Sequence, residues 1–401
     1  MSELLEQPKQ ITVLALGGAG CRILRSLAAI PAAQSMRLLA VDTDAESLMR
    51  SGVEESCRLL AGARWRGGRG CGGNVIDGQR AMAHERSSLE QLLSGSAMLL
   101  VVGGLGGGTA SGGVPVVLSV ARKLGIPAMF LMTLPFTLEG HSKRRVAEET
   151  VKGELLGLAD AVLCLPNDLL FSVLEATTPL AEAFRLADRE VSRSVLALTA
   201  VLRNGNLLAA DFGDFVSLLK RRKSYCSIGV GLSSEADSSV RIDRAMEELL
   251  HSPLLGGAGK LGEADAVILS LLGGPELSIG ETKAALELAS RQVKPEARVI
   301  VGAATAEEYR GMLQLCAVTV RLDAESEVAE VMHKSVERTP KRSRAGAVAA
   351  EDASQLTLPF LETVSKGIME NTTPVIWNGE DLDIPTFKRR NTVLDNGKTL
   401  S

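Results

Sequence analysis

Gly103 to Pro115 reads GGLGGGTASGGVP. Seven of these thirteen residues are glycine, and the stretch follows the apolar run Met98–Val102. A glycine-rich turn that leaves a strand and enters a helix presents backbone N–H groups with no side chains in the way, which suits phosphate. The competing reading is a flexible loop. Its surroundings decide between the two.

Upstream, Ile11–Leu16 is an apolar strand followed by the turn Gly17-Gly18-Ala19-Gly20-Cys21-Arg22 and helical spacing over Cys21–Ile30. Leu38–Val41 is a second strand, closed by Asp42-Thr43-Asp44, and Ala97–Val102 is a third. Downstream, Val114–Leu124 is helical, and Ala128–Met132 and Ala161–Leu165 are strands. Strands that are apolar throughout and alternate with helices form a parallel sheet covered on both faces. This is a doubly wound α/β domain, whose ligands sit beyond the carboxyl ends of the strands. Leu180–Arg203 reads as one long helix. Strands at Ser227–Leu232, Ala266–Leu272, Ala297–Val301 and Cys316–Val320, with helices at Arg241–Leu250 and Gly280–Gln292, suggest a smaller second α/β domain. From Glu325 to Gly379 no hydrophobic period is sustained, which reads as a linker; ~55 flexible residues have an end-to-end distance of about 40 Å. The chain closes on EDLDIPTFKRRNTVL and a short polar tail.

Bulk composition sets limits. The 401 residues are 45% apolar and 23% charged, so most of the chain is expected to be globular, with two domains. A net charge of −4 argues against a nucleic-acid binder, which needs a basic excess. The six cysteines include no CxxC pair, so reduced thiols are expected rather than a metal site. The first ten residues, MSELLEQPKQ, are unlike a signal peptide, and no apolar run reaches the ~18 residues a membrane span requires.

The other turns carry chemistry only in combination. The Gly17–Arg22 turn with Asp42 after the next strand fits a dinucleotide enzyme, but Ile23 stands where the third glycine of GxGxxG belongs. GGRGCGGN, Gly67–Asn74, is by itself as compatible with a loop as with a site. No GxxxxGK[ST] motif is present: Gly259-Lys260 is followed by Leu261. Glu139 in TLPFTLEG can accept ribose hydroxyls, and Asn167 after the fifth strand can either meet a purine edge or cap a helix. Asp211 and Asp214 share one face of a helix start, where they could orient water or merely cap it. Two phosphate-type turns on one sheet favour a nucleoside di- or triphosphate over a dinucleotide.

Taken in order, these motifs resemble the FtsZ family of the tubulin superfamily of GTPases. GGLGGGTASGG is similar to that family's GGGTGTG signature, and around it LLAVDTDAESL, GRGCGGN, TLPFTLEG, LPNDLL, ADFGD and SPLL occur in the family's order. The ending EDLDIPTFKRR resembles the terminal peptide that docks on membrane anchors. The resemblance implies GTP or GDP, with Mg²⁺, as ligand. Gly17, Gly18, Ala19, Gly20 and Cys21 would meet the diphosphate and nucleoside, Gly72, Gly73 and Asn74 the γ-phosphate, and Gly106, Gly107, Gly108, Thr109, Ala110, Ser111 and Gly112 would wrap the phosphates. Glu139 would hold the ribose, with Lys143 and Arg144 beside it, and Asn167 and Asp188 would lie at guanine. Asp211 and Asp214 would enter the site of the next subunit, so that hydrolysis requires a filament. Asp381, Leu382, Asp383, Ile384, Pro385 and Phe387 would bind a membrane-anchoring division protein.

The implied organisation is an extension at 1–10, a GTP-binding domain at 11–179, a central helix at 180–203 and a C-terminal domain at 204–321. A flexible, disordered tail then comprises a linker at 322–379 and a partner peptide at 380–401. The implied location is the cytoplasm at mid-cell, as a homopolymer that neither binds nucleic acid nor inserts into the membrane. Some positions depart from the family. Ala110 replaces a signature glycine, Lys143 an arginine, and Ala209 an asparagine before the paired aspartates. Arg189 stands at the guanine-reading aspartate, with Asp188 about 100° away around the helix. Loss of a water-orienting group slows hydrolysis by orders of magnitude, so a filament scaffold with little or no GTPase activity is the alternative.

Overall fold

The structure is a computed structural model that describes residues 10–172, 174–175, 177–202, 225–257, 259–321, 376–377 and 380–381. The chain divides into two compact units, Met1–Thr339 and Pro340–Ser401.

The first unit is built on one ten-stranded sheet. Its strands are β1 (Gln10–Leu16), β2 (Arg37–Asp42), β3 (Arg58–Leu60), β4 (Ser96–Gly104), β5 (Ala128–Leu134), β6 (Ala161–Pro166), β7 (Tyr225–Ser233), β8 (Ala266–Gly273), β9 (Arg298–Thr305) and β10 (Leu313–Arg321). Their order across the sheet is 3-2-1-4-5-6-7-10-8-9. All pairs are parallel except those of β10, which runs antiparallel to both β7 and β8. Among the described residues, helices of eight residues or more are α1 (Gly17–Ala28), α2 (Val75–His84), α3 (Arg86–Leu93), α4 (Gly108–Leu124), α5 (His141–Thr150), α6 (Leu180–Leu202), α7 (Ser238–His251) and α8 (Ile279–Ser290).

The central strands are apolar on both faces because helices cover both. One face of β1, β4 and β5 turns Val13, Leu100 and Leu131 toward α1 and α6; the other turns Leu14, Val101 and Phe130 toward α2 and α4. The two sequence-expected α/β halves are joined by a short pairing, Val162 with Tyr225 and Leu163 with Cys226. The core is also shared: Leu163, Val195, Cys226 and Val318 belong to one apolar cluster beneath α6. The second half keeps a core of its own on the opposite face, where Ile242, Leu249, Leu269 and Leu315 pack with α7 and α8.

In the second unit, Ile376–Trp377 pairs antiparallel with Glu380–Asp381. The first of these strands lies within the linker expected from the sequence, which gave no sign of it. Apart from Asp381, the partner-peptide residues Leu382, Asp383, Ile384, Pro385 and Phe387 lie outside the described residues, as do Asp211, Asp214 and Ala209.

Candidate nucleotide site

The carboxyl ends of β1, β2, β4, β5 and β6 open on one cavity of about 640 Å³. Two helices begin at its floor. β1 passes directly into α1 at Gly17, where φ is +75° and no side chain caps the first turn. β4 passes into α4 through Gly107, again without a side-chain cap. Uncapped N-termini of helices of 12 and 17 residues each present unpaired N–H groups and a partial positive charge. A Cβ on Gly17 would stand 3.3 Å from the Ala110 nitrogen, so the two first turns touch. Paired in this way, they form an anion site.

The glycine-rich stretch divides its labour. Gly107, Gly108, Thr109 and Ala110 line the cavity. Gly106, at φ +90°, lies behind the wall and donates its N–H to the buried Ser111 Oγ at 3.0 Å. Gly112 faces α2: a Cβ there would lie 2.5 Å from the Gln79 nitrogen and closer still to the Val75 carbonyl oxygen. Among the remaining expected residues, Gly17, Gly18, Ala19, Gly72, Gly73, Glu139, Lys143 and Asn167 line the cavity. Gly20 and Cys21 are buried behind the first turn, and burial pushes the Cys21 thiol up to about 12. Asn74 caps α2 by accepting the Asp77 N–H at 3.1 Å. Arg144 donates to Thr137 Oγ1 at 3.4 Å.

Polar groups at the floor are tied together. Thr43 and Thr109 share a hydroxyl contact of 2.7 Å, and Cys71 Sγ lies 3.4 Å from Thr109 Oγ1. Asp42 accepts the Thr43 N–H at 2.7 Å and is 2% exposed. Its burial raises the carboxyl pKa to about 6, against opposing hydrogen bonds from Thr43 and Thr109. Glu139 accepts the Phe136 N–H at 2.9 Å through Oε1 and the Lys143 ammonium at 3.0 Å through Oε2. Asp168 anchors the same loop by accepting both the N–H and the hydroxyl of Thr137.

The far end of the cavity rests on α6. Phe184 lines it, edge-on to Phe136 with ring centres 5.1 Å apart. Asp188 does not line the cavity: it accepts Arg22 Nε at 3.1 Å, and Arg22 lines the cavity in its place. Arg189 is turned away, bonded to Glu182 at 3.1 Å. As lining residues, Arg22, Phe184, Thr43, Asp44, Ser47 and Cys71 were missed from the sequence. A phenylalanine and an aspartate four apart on one helix, in a chain of 3% aromatics, was the available signal for the first two.

Comparison with known proteins agrees with this geometry. Residues 10–175 match the family model "Tubulin/FtsZ family, GTPase domain", and residues 225–323 match "FtsZ family, C-terminal domain". The "Cell division protein FtsZ 1" of Halobacterium salinarum is 31% identical over 343 residues, 84% of each chain. That of Thermococcus kodakarensis is 31% identical over 336 residues, 84% of this chain and 87% of its own. Among solved structures, an empty FtsZ dimer of M. jannaschii superposes with a TM-score of 0.71 at 27% identity, covering 80% of this chain and 90% of that one. CetZ2 of Haloferax volcanii, solved as a GTPγS-bound protofilament, shares the fold with a TM-score of 0.65 at 21% identity, covering 82% and 98%. With a GTPase domain followed by an FtsZ C-terminal domain, and relatives of this identity along most of its length, the chain belongs to the tubulin/FtsZ family.

Proposed function

We propose that this chain binds GTP and polymerises head to tail into filaments at the division site, in the cytoplasm, and that the next subunit completes the hydrolytic site. The observation that carries the reading is the pair of uncapped helix N-termini on the floor of a cavity large enough for a nucleotide. In this reading Gly17–Ala19 and Gly107–Ala110 cradle the phosphates, Gly72 and Gly73 close over the terminal one, Glu139 meets the ribose, and Asn167 the base. Residues 11–179 bind the nucleotide, 180–203 connect, and 204–321 bring Asp211 and Asp214 to the neighbour's phosphate. A head-to-tail contact is heterologous and makes an open filament. Residues 322–379 tether the peptide at 380–401 to a membrane-anchoring partner.

Mg²⁺ would accompany the nucleotide. The Asp42 carboxylate and the Thr43 and Thr109 hydroxyls are hard oxygen donors of the kind that hold this ion beside phosphate. The bound ion would neutralise phosphate charge; the chain's own groups orient the nucleotide.

Sedimentation with and without GTP tests assembly. A GTP-dependent pellet is expected, and its absence across a range of salt and pH refutes the polymer. Asp211→Ala is expected to keep GTP affinity and abolish turnover; loss of binding would place Asp211 in its own subunit's site. A second reading, a scaffold that binds nucleotide with little turnover, draws support from Ala110, which lines the cavity at a position where the family's signature has glycine. Phosphate released per subunit separates the two.

A further inference from the structure

Among the described residues, the cavity wall offers a triphosphate little uncommitted positive charge. Two cationic side chains line it, Arg22 and Lys143, and a carboxylate holds each: Asp188 meets Arg22 at 3.1 Å and Glu139 meets Lys143 at 3.0 Å. Two further carboxylates, Asp42 and Asp44, line the same wall. The helix N-termini at the floor supply only partial charges, about half a unit each.

An uncommitted cation stands beside this wall. Residues 68–70 lie antiparallel against residues 43–45: Ala45 donates its N–H to the Gly68 carbonyl at 2.9 Å, and Gly70 donates to the Thr43 carbonyl at 3.0 Å. Arg69 is thereby paired directly with Asp44. The two bonds flank the pair and do not join it, the arrangement that brings opposed side chains closest, on one side of the ladder. Asp44 lines the cavity, so the Arg69 side chain starts next to the cavity wall. The segment fits closely: a Cβ on Gly68 would stand 3.1 Å from that of Ala45. Arg69 is exposed, and its side chain has no hydrogen bond or ion pair among the described residues. Its neighbour Arg66 is paired with Asp77. The Asp44 carboxylate is taken up by the Ser47 N–H at 3.0 Å and the Ser47 hydroxyl at 2.7 Å. Directly after Arg69, Gly70–Gly73 line the cavity.

A guanidinium presents its N–H donors as a planar fork that matches two oxygens of one phosphate. The terminal phosphate is what a triphosphate has and a diphosphate lacks. We propose that Arg69 grips the terminal phosphate and raises the affinity of the site for a nucleoside triphosphate relative to the diphosphate. This rests on the reading of the cavity as a nucleotide site, and it adds a charged side chain to the backbone N–H groups of Gly72 and Gly73. The competing arrangement sends Arg69 to an acidic group on a second copy of this chain; it would then govern assembly and leave the affinity of a single subunit untouched.

The test is equilibrium binding of GTPγS and of GDP, with Mg²⁺, to the full-length protein below the concentration at which it sediments. Arg69→Gln is expected to weaken GTPγS by about 10- to 100-fold, the range for hydrogen bonds to charged groups, and to change GDP by about threefold or less. Arg69→Lys is expected to fall between wild type and Arg69→Gln, since an ammonium keeps the charge and lacks the fork. Arg64→Gln removes an exposed charge from the short helix Ala63–Arg66 and is the control; solvent screens such a charge, so both affinities are expected to stay within about threefold. The GDP affinity reports that each variant is folded, and the ladder that seats Arg69 is made by backbone groups that glutamine keeps. An unchanged ratio of GTPγS to GDP affinity in Arg69→Gln overturns the proposal; accompanied by a raised threshold for sedimentation, it assigns Arg69 to the second copy. Equal weakening of both ligands overturns it too, as does the same fall in the ratio for Arg64→Gln, which would reduce the effect to bulk charge. Wild-type protein that binds neither ligand overturns the nucleotide reading itself, and the Arg69 assignment with it.

Discussion

Replacing Gly112 by alanine separates the packing role of the glycine-rich stretch from its phosphate role. Gly112 lies in the second turn of α4 and faces the backbone of α2. A Cβ there would stand 2.5 Å from the Gln79 nitrogen, where ordinary contact begins at 3.4 Å. The obstructing atoms are all backbone, so no rotamer change relieves the clash. The helices must separate locally by at least about 0.9 Å, and by more at the Val75 carbonyl oxygen, which lies closer still. Overpacking of this kind costs about 1–3 kcal/mol. The close approaches of Gly78 to the Gly108 carbonyl and of Gly108 to Asn74 lie in the same contact and would loosen with it. Against this, alanine in a helix interior gains about 1 kcal/mol over glycine. The net expectation is destabilisation of up to about 2 kcal/mol. With a urea m-value near 3 kcal/mol/M, the unfolding midpoint followed by far-UV circular dichroism falls by up to about 0.7 M. Gly280→Ala in α8, whose nearest new neighbour is Ser278 Oγ at 3.7 Å, serves as the control and leaves the midpoint unchanged or slightly raised. A midpoint that rises in Gly112→Ala, as helix propensity alone dictates, refutes the close helix contact.

Other outcomes follow from the same geometry. Asp42 has a folded pKa raised from 3.8 to about 6 by burial, so the folded state binds the extra proton between those values and loses stability as pH rises through that window. The penalty above pH 6 is about 3 kcal/mol at 1.36 kcal/mol per unit, so Asp42→Asn is expected to raise the thermal midpoint at pH 8 and to give little gain at pH 4; equal effects at both would contradict it. Ala110→Gly costs about 1 kcal/mol or less of helix propensity and is expected to raise GTP turnover, measured as phosphate release; lower turnover would remove the methyl as a brake. Gly72 and Gly73 have positive φ but open space around a new Cβ. Alanine at either therefore costs only about 1–2 kcal/mol of backbone strain, and a larger loss in the same urea assay would reveal a contact that the free space does not contain.

The parallel strands were legible because burial on both faces leaves an unbroken apolar run. Ile11–Leu16, Ala97–Val102, Ala128–Met132 and Ala161–Leu165 each fall within an observed strand. Helix starts were read too late. Helical spacing suggested Cys21 and Val114, but α1 begins at Gly17 and α4 at Gly108. Glycine is a poor helix former in isolation, and only the tertiary contacts of these turns with each other and with α2 make it the required residue. Gly106, Ser111 and Gly112 were assigned to the phosphates for the same reason: a run of glycines does not say which of its members face a ligand and which face a helix. The pairing of Arg22 with Asp188 beside Phe184 escaped because it spans 166 positions, a distance at which no local period connects residues.

The central claim is that the cavity takes GTP and that hydrolysis needs a second subunit. GTP turnover measured against protein concentration tests it most directly. The account predicts negligible turnover per subunit below a critical concentration and a linear rise above it, with the threshold matching the onset of sedimentation. A rate per subunit that is constant down to the lowest concentration would contradict it, because the site would then be complete within one chain.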